Sequence, residues 1–310
     1  MKNNSQYPIE ISIIIPCYNK EDYIEECIKS VLAQQFHSFE IVMVDDGSTD
    51  HTGEICDRFA ASDSRIRIFH TTNGGVTAAR RYGLQQSRGR YVMFVDSDDS
   101  LFPNSVQLLY DTIEQTNADE VIGTCQTQHG ITRDSKLRGW QDPVYLINDL
   151  LAVHNSFCVL WGIIFKRELL DGCLDIPREI ITSEDILMQI KCLVKQPKVY
   201  FIGETVYLYN TGLPNHRRTD LDRIRVFDSE LKKTLLPRWK EFSNGYLLHC
   251  IKTYESYLYT RRYYIIDYYK HLKKEDLSKI PFQDRIAFLL PARLAYYLIW
   301  LRKKLKFTIR

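Results

Sequence analysis

Apolar runs recur along the first hundred positions, each followed by helical spacing and then by a polar break. Residues 11–15 (Ile-Ser-Ile-Ile-Ile) are β-branched and closed by Pro16, the pattern of a buried central strand. Ile24, Cys27, Ile28, Val31 and Leu32 follow at helical spacing, with Glu21 and Asp22 suited to a helix N-terminus. Residues 41–44 (Ile-Val-Met-Val) predict a second strand ending in Asp45-Asp46-Gly47-Ser48. Ser48, Thr49 and Asp50 are candidate caps for a helix carrying Ile55, Cys56, Phe59 and Ala60. Ile66 and Ile68 mark a third strand, and the spacing predicts a helix over 76–86 that stops at Ser87-Arg88-Gly89. A fourth strand, Tyr91-Val92-Met93-Phe94-Val95, runs straight into Asp96-Ser97-Asp98-Asp99.

This β-α-β-α-β-α-β order predicts a mostly parallel sheet with right-handed crossovers. Strand ends of one parallel sheet share a rim, so Asp45 and Asp46 should border the same crevice as Asp96, Asp98 and Asp99. Beyond Pro103 the pattern loosens to a helix near 104–115 and a strand near 120–124. Residues 126–142 are polar, basic and strand-poor, and read as a long surface loop of the lid or binding type. An apolar run at 157–165 carries Trp161; Thr182-Ser183-Glu184-Asp185 opens a helix with Ile186, Leu187, Ile190 and Leu193. Residues 199–209 read as a pair of late strands. From about residue 213 tyrosines and basic residues crowd together, and packed helices are expected.

Composition narrows the picture modestly. The chain of 310 residues has a formal net charge of +2, which gives no global reason to bind nucleic acid. Its eight cysteines form no Cys-x-x-Cys pair, so reduced core thiols in a cytosolic protein are expected rather than disulfides or zinc. Residues 1–6 are polar, with no signal-peptide apolar region, and no run of about 18 apolar residues suggests a membrane span. Residues 285–310 hold seven basic side chains and no carboxylate, interleaved with leucines, tyrosines and Trp300. That pattern fits either the inner surface of a membrane, with peripheral attachment, or helices that simply pack on the domain. The same helices are the candidate contact for a homo-oligomer.

Three carboxylates within four residues repel one another and resist desolvation. A divalent cation bound to phosphate oxygens is the simplest neutraliser, against a plain polar loop with an Asp cap as the bland alternative. No Gly-x-Gly-x-x-Gly and no phosphate-loop Lys-Ser/Thr is present, so dehydrogenases and phosphate-loop NTPases fit poorly. A haloacid-dehalogenase-like phosphatase also uses Asp-x-Asp, but on the first strand of its domain, whereas here the motif ends the fourth.

Taken in order, the motifs are Ile13-Ile14-Ile15-Pro16-Cys17-Tyr18-Asn19, Val44-Asp45-Asp46-Gly47-Ser48-Thr49-Asp50, Asn73-Gly74-Gly75 with Ala79-Arg80 and Gly83, Gly89-Arg90-Tyr91 into Asp96-Ser97-Asp98-Asp99, and Glu184-Asp185. Over residues 10–210 this series resembles the family 2 inverting glycosyltransferases of GT-A fold, bacterial enzymes that build surface polysaccharides. Arg81 and Arg90 depart from residues common in that family. The resemblance implies an α/β GT-A domain over 1–212, with a nucleotide-binding half (about 10–125) and an acceptor-side half (126–212). A helical extension would occupy 213–310.

It also implies roles. Pro16, Tyr18 and Asn19 would hold the nucleotide base, and Asp46 would accept the imide N–H of uracil, with Asp45 the turn-former. Arg80 would lie near the phosphates. Asp96, Ser97 and Asp98 would face the donor, and Asp98 and Asp99 would sit closest to Mn²⁺ or Mg²⁺ and ribose. His216 is a further candidate at the metal. Asp185 would be the general base, with Glu184 and Trp161 on the acceptor side. The implied reaction is metal-dependent, inverting transfer of a hexosyl or N-acetylhexosaminyl group from a nucleotide-sugar, UDP-linked, to a saccharide or lipid-linked acceptor. A non-catalytic module that binds glycan is the rival of a different class.

Overall fold

The computed structural model describes residues 9–153, 157, 159–211 and 220–308, with side chains to residue 305. In chain order the elements are β1 (Ile9–Cys17), α1 (Ile24–Leu32), β2 (Phe39–Asp45), α2 (Thr52–Ser62), β3 (Ile66–His70), α3 (Val76–Gln86), β4 (Gly89–Phe94), β5 (Ser100–Leu101), α4 (Ser105–Thr116) and β6 (Glu120–Thr127). There follow β7 (Thr132–Arg133), β8 (Gly139–Gln141), α5 (Pro143–Leu151), β9 (Ile163–Lys166), α6 (Glu184–Leu193) and β10 (Val199–Tyr209). The remainder is helical: α7 (Leu221–Leu235), α8 (Trp239–Tyr259), α9 (Ile265–Tyr269), α10 (Phe282–Leu289) and α11 (Ala292–Thr308).

The chain forms two compact units. The first, residues 1–146 and 156–218, is built on a sheet of order β3-β2-β1-β4-β9-β6-β10-β5. The four early strands are parallel, as their repeated strand–helix order demands. Beyond β4 the sheet is mixed rather than mostly parallel: β9 runs antiparallel to β4 and β6, while β6 and β10 are parallel. Strands β1, β2 and β4 are almost wholly buried, with Ile13, Ile14, Ile41, Val42 and Val92 fully inaccessible, while the edge strand β3 is only half-buried. Their C-terminal ends share one rim, which puts residues 16–20, 46 and 95–99 together.

Two expectations need correcting. Residues 199–209 form one strand, β10, and not a pair; its pairing with β6 shifts register between Phe201 and Thr205 and again before Tyr207. Gly203 and Glu204 fall within the first of these irregularities, which the strand absorbs without breaking. Residues 126–142 are not a structureless loop either, because β7 pairs with the end of β6 and β8 pairs with the start of β10.

The second unit comprises residues 147–155 and 219–310, so its boundary differs from the expected division at 212. The physical reason is close approach: a Cβ on Gly245 of α8 would lie 2.6 Å from Asn148 Oδ1 and 2.8 Å from Leu151 Cδ1. Glycine lets the second half of α5 lie against α8. The core is Leu247, Ile251, Tyr254, Leu258, Phe288 and Ile299 with their neighbours. Arg302 reaches in from α11 to Glu255 (2.7 Å) and Asp284 (3.0 Å), and Lys252 also pairs with Asp284 (2.8 Å). One of the seven basic residues of 285–310 is thus a helix anchor and not a surface charge. Seven free cysteines are buried, as their apolar context suggested; Cys158 lies outside the described residues.

Candidate active site

A cleft of about 1240 Å³ opens at the sheet rim of the first unit. Pro16, Tyr18, Asn19, Asp46, Arg80, Asp96, Ser97, Asp98, Trp161, Glu184 and Asp185 all line it, so the structure gathers segments more than 160 positions apart, as the span from Pro16 to Asp185 shows.

The base end is built from two tied loops. Asn19, with a left-handed φ of 50°, donates its backbone N–H to Ser48 Oγ (3.1 Å) and accepts from the Thr49 N–H through its side-chain oxygen (2.8 Å). This leaves Tyr18, 46% exposed, standing at the cleft as an open ring face. Asp45 is the turn-former, accepting the Ser48 N–H at 3.0 Å. Asp46 is buried and clamps the loop before α3, accepting the N–H groups of Gly74 (2.8 Å) and Gly75 (2.7 Å) on separate oxygens. Gly75 sits at φ 91°, a region that only glycine enters without strain, so the clamp and the glycine require each other.

In the acidic loop each carboxylate has its own partner. Asp96 meets Arg80 Nη2 at 2.5 Å, and Asp98 meets Lys20 Nζ at 2.5 Å. Asp99 accepts from the Tyr207 hydroxyl (2.8 Å) and the Asn210 N–H (2.7 Å). The repulsion that the bare sequence poses is therefore answered first by protein cations and hydroxyls. Asp99, expected at the metal, is 2% exposed and is not among the residues that line the cleft. Burial first, then the Asp96 charge, push its carboxyl up to about 8 against the pull of its two donors. Tyr207 also accepts the Asp96 N–H (3.0 Å), so one buried phenol holds both ends of the loop.

Arg80 is buried, and its Nε has no hydrogen-bond partner among the described residues. Burial works against its charge, but Asp96, Glu184 and Asp185 outweigh burial and raise its pKa. Its firm contact is with Asp96, whatever else it meets in the cleft. On the far wall Trp161 lies between Tyr207 and Tyr209, with ring centroids 5.6 and 5.3 Å away and planes within 25° and 22°. Arg133 covers the Tyr209 ring at 5.2 Å. Glu184 and Asp185 form the first turn of α6, after Ser183 at φ 63°. Ser183 makes no side-chain cap, so the Ser-Glu-Asp start is not an ordinary cap. Asp185 accepts the Ile186 N–H (2.8 Å) and faces the cleft. His216 lies outside the described residues.

Lys20, Tyr207, Tyr209, Arg133 and Arg178 are cleft-side or supporting residues that motif reading missed. Lys20 had a signal, standing directly after Cys17-Tyr18-Asn19; Tyr207 and Tyr209 had only their alternation along a strand. Among the described lining residues, five carboxylates (Asp46, Asp96, Asp98, Glu184, Asp185) face five cations (Lys20, Arg80, Arg81, Arg133, Arg178), so the cleft is charge-balanced before any ligand enters. No three His, Cys, Asp or Glu side chains converge as a complete metal cage among the described residues.

Comparison with known proteins decides the family. The glycosyl transferase family 2 model matches residues 12–174, more than half of the chain. The chain belongs to glycosyl transferase family 2. The uncharacterized glycosyltransferase EpsJ of Bacillus subtilis is 32% identical over 237 residues, covering 72% of this chain and 67% of EpsJ. Glycosyltransferase GlyG of Streptococcus pneumoniae serotype 4 is 43% identical over 114 residues, or 36% of this chain and 38% of GlyG. The chain thus matches well under half the length of GlyG. Residues 1–349 of S. aureus TarS in complex with UDP-GlcNAc superpose with a TM-score of 0.60 at 21% identity, covering 80% of this chain and 81% of that one. The family 2 chain has the GT-A fold, and the phosphatase reading of its Asp-x-Asp falls with it.

Proposed function

We propose that this family 2 glycosyltransferase moves a sugar from a UDP-sugar to a saccharide or lipid-linked saccharide acceptor in bacterial cell-surface polysaccharide synthesis, with inversion. The observation that carries the reading is the convergence of Tyr18 and Asp46, of Asp96 and Asp98, and of Asp185 on one cleft. Tyr18 offers a stacking face for a base. Asp46 Oδ2 spends one lone pair on Gly75 N–H and keeps one for the uracil imide donor.

A diphosphate would bring net negative charge to a cleft that is otherwise balanced. Asp98 and Asp96 are hard oxygen donors at its edge, suited to hold Mg²⁺ or Mn²⁺ together with diphosphate oxygens. Such a cation supplies charge neutralisation for the departing diphosphate. The chain's own residues do the rest: Lys20 and Arg80 hold the two carboxylates apart, and Asp185 takes the proton of the acceptor hydroxyl as that oxygen attacks the anomeric carbon from the side opposite the leaving group. Trp161 and Tyr209 form the wall against which the acceptor ring lies. TarS is described with UDP-GlcNAc and with UDP, which supports a uridine donor here.

The test is a screen of nucleotide-sugars with Mn²⁺ or Mg²⁺, run on the wild-type chain and on Asp185→Asn. Turnover of a UDP-sugar by the wild type is expected. Asp185→Asn should lose about 10²- to 10⁴-fold in transfer, the usual worth of a general base, while binding UDP as before. Normal transfer by Asp185→Asn, or no donor turned over with either metal, overturns the reading.

A further inference from the structure

Helix α11 is apolar on two faces, and only one of them is used by the fold. Ala295 and Ile299 are buried in the core of the second unit, and Arg302 beside them is held by Glu255 and Asp284. Leu294, Tyr297, Leu301 and Leu305 recur at intervals of three and four residues, so they form a continuous stripe on a second face. All four are open to solvent, at 56%, 65%, 50% and 53% exposure. Single exposed leucines are ordinary; a stripe three turns long on one helix is not.

The flank of the stripe says what covers it. Arg293 and Lys304 are exposed on the same edge of the helix, close in rotation to Tyr297, with Trp300 beside them. Lys304 lies over the Trp300 ring at 4.4 Å. No carboxylate occurs on α11, and Arg293 has no carboxylate partner among the described residues. Helix α10 repeats the chemistry: Phe282 and Leu289 are 68% and 49% exposed, and Arg285 stands over the Phe282 ring at 5.7 Å. An apolar stripe edged by the Tyr297 and Trp300 rings and by the cations Arg293 and Lys304 matches a surface with anionic groups above hydrocarbon. Tyrosine and tryptophan favour that boundary, and basic side chains favour anionic headgroups. No helix among the described residues is long and apolar enough to cross a membrane, so the fit is to a surface and not to a span.

From this we infer that the outer face of α11, with Leu294, Tyr297, Leu301 and Leu305 as the buried contact and Arg293 and Lys304 as the charged edge, docks on an anionic lipid bilayer. The inference is independent of the donor and acceptor chemistry above. A second copy of the chain is the competing occupant, and its interface would lack the cations' counter-charge, since α11 carries no acid to meet them.

The test is flotation of the full chain with vesicles of equal phosphatidylglycerol and phosphatidylcholine, against vesicles of phosphatidylcholine alone. The wild type should float with the anionic vesicles, at least tenfold more than with the neutral ones, and should be released as salt rises. The L294E/L301E variant should lose at least tenfold of this binding. R293A/K304A, which leaves the apolar stripe intact, should lose several-fold and show a weaker salt dependence. UDP binding should be the same in all three, because neither pair of residues lies at the cleft. Wild-type protein that stays with the pellet in the anionic mixture overturns the inference. So does equal flotation of L294E/L301E, or a concentration-dependent dimer that L294E/L301E abolishes and vesicles do not compete away.

Discussion

Both units bury charge, and they do so for different ends. In the first unit Asp46, Asp96 and Asp98 line a cleft, and their partners hold them ready at its surface: Arg80 on Asp96, Lys20 on Asp98, and two glycine N–H groups on Asp46. In the second unit the charges face inward and tie helices to each other, as Arg302 does between α8 and α10. A buried ion pair adds little net stability over an apolar pair, but losing one member is costly. The same chemistry therefore presents reactive groups in one place and fixes helix register in the other.

The largest expected effect breaks the inward network. Arg302→Ala strands Glu255, leaves Asp284 with Lys252 alone, and should cost about 3–5 kcal/mol of folding stability. Chemical denaturation followed by helical signal reads this, and UDP affinity at low denaturant should be unchanged. Equal loss of UDP affinity would mean that the two kinds of buried charge are not separable.

Asp46→Ala is the counterpart at the cleft. It removes the acceptor of two backbone donors, a loss of about 2 kcal/mol in stability, and releases the Gly74-Gly75 loop. Here stability and UDP affinity should fall together, as calorimetry of the same variant would show.

The smallest effect sharpens the comparison through pH. Glu120, at the start of β6, is fully buried with Gln189 as its partner, and burial pushes its carboxyl up to about 8 despite that amide. Among the described residues its Oε2 and the Gln189 Oε1 have no hydrogen-bond partner, so no donor beyond the Gln189 amide is present to stabilise the ionised carboxylate. The folded state thus binds a proton that the unfolded chain gives up near pH 4.5. The stabilisation is complete below that pH and drains away as pH rises toward 8. Glu120→Gln should flatten this slope, so that melting temperatures of wild type and variant diverge by a few degrees between pH 5 and pH 8 in favour of the variant.

What the sequence could show depended on how local the determinant is. Helix α3 falls at 76–86 as its spacing and flanking glycines predict, and the acidic strand end was visible from four consecutive residues. Asp50 is a subtler case: it accepts the Thr52 N–H (3.0 Å), though α2 begins one turn later than a Ser48 cap would place it. Lys20 reaches Asp98 across 78 positions and Tyr207 reaches Asp99 across 108, and no local pattern encodes either. Repulsion among the three aspartates was legible; the groups that relieve it were not. In the helical unit the crowding of tyrosines announced packing, but the split of the basic residues between interior and surface waited on Arg302.

Tyr207 has one more consequence. Its hydroxyl holds the acidic loop at Asp96 and Asp99, while its ring stacks on Trp161, which in turn stacks on Tyr209. Residues 207 and 209 share one face of β10, so a guest that presses on the Trp161 wall presses on the phenol that positions the carboxylates. The two halves of the cleft are then energetically linked, and linkage is reciprocal: whatever factor an occupied wall adds to affinity at the acidic loop, an occupied loop returns to the wall. Tyr207→Phe, which keeps the stack and cuts the hydroxyl, would leave two half-sites that fill without regard to each other.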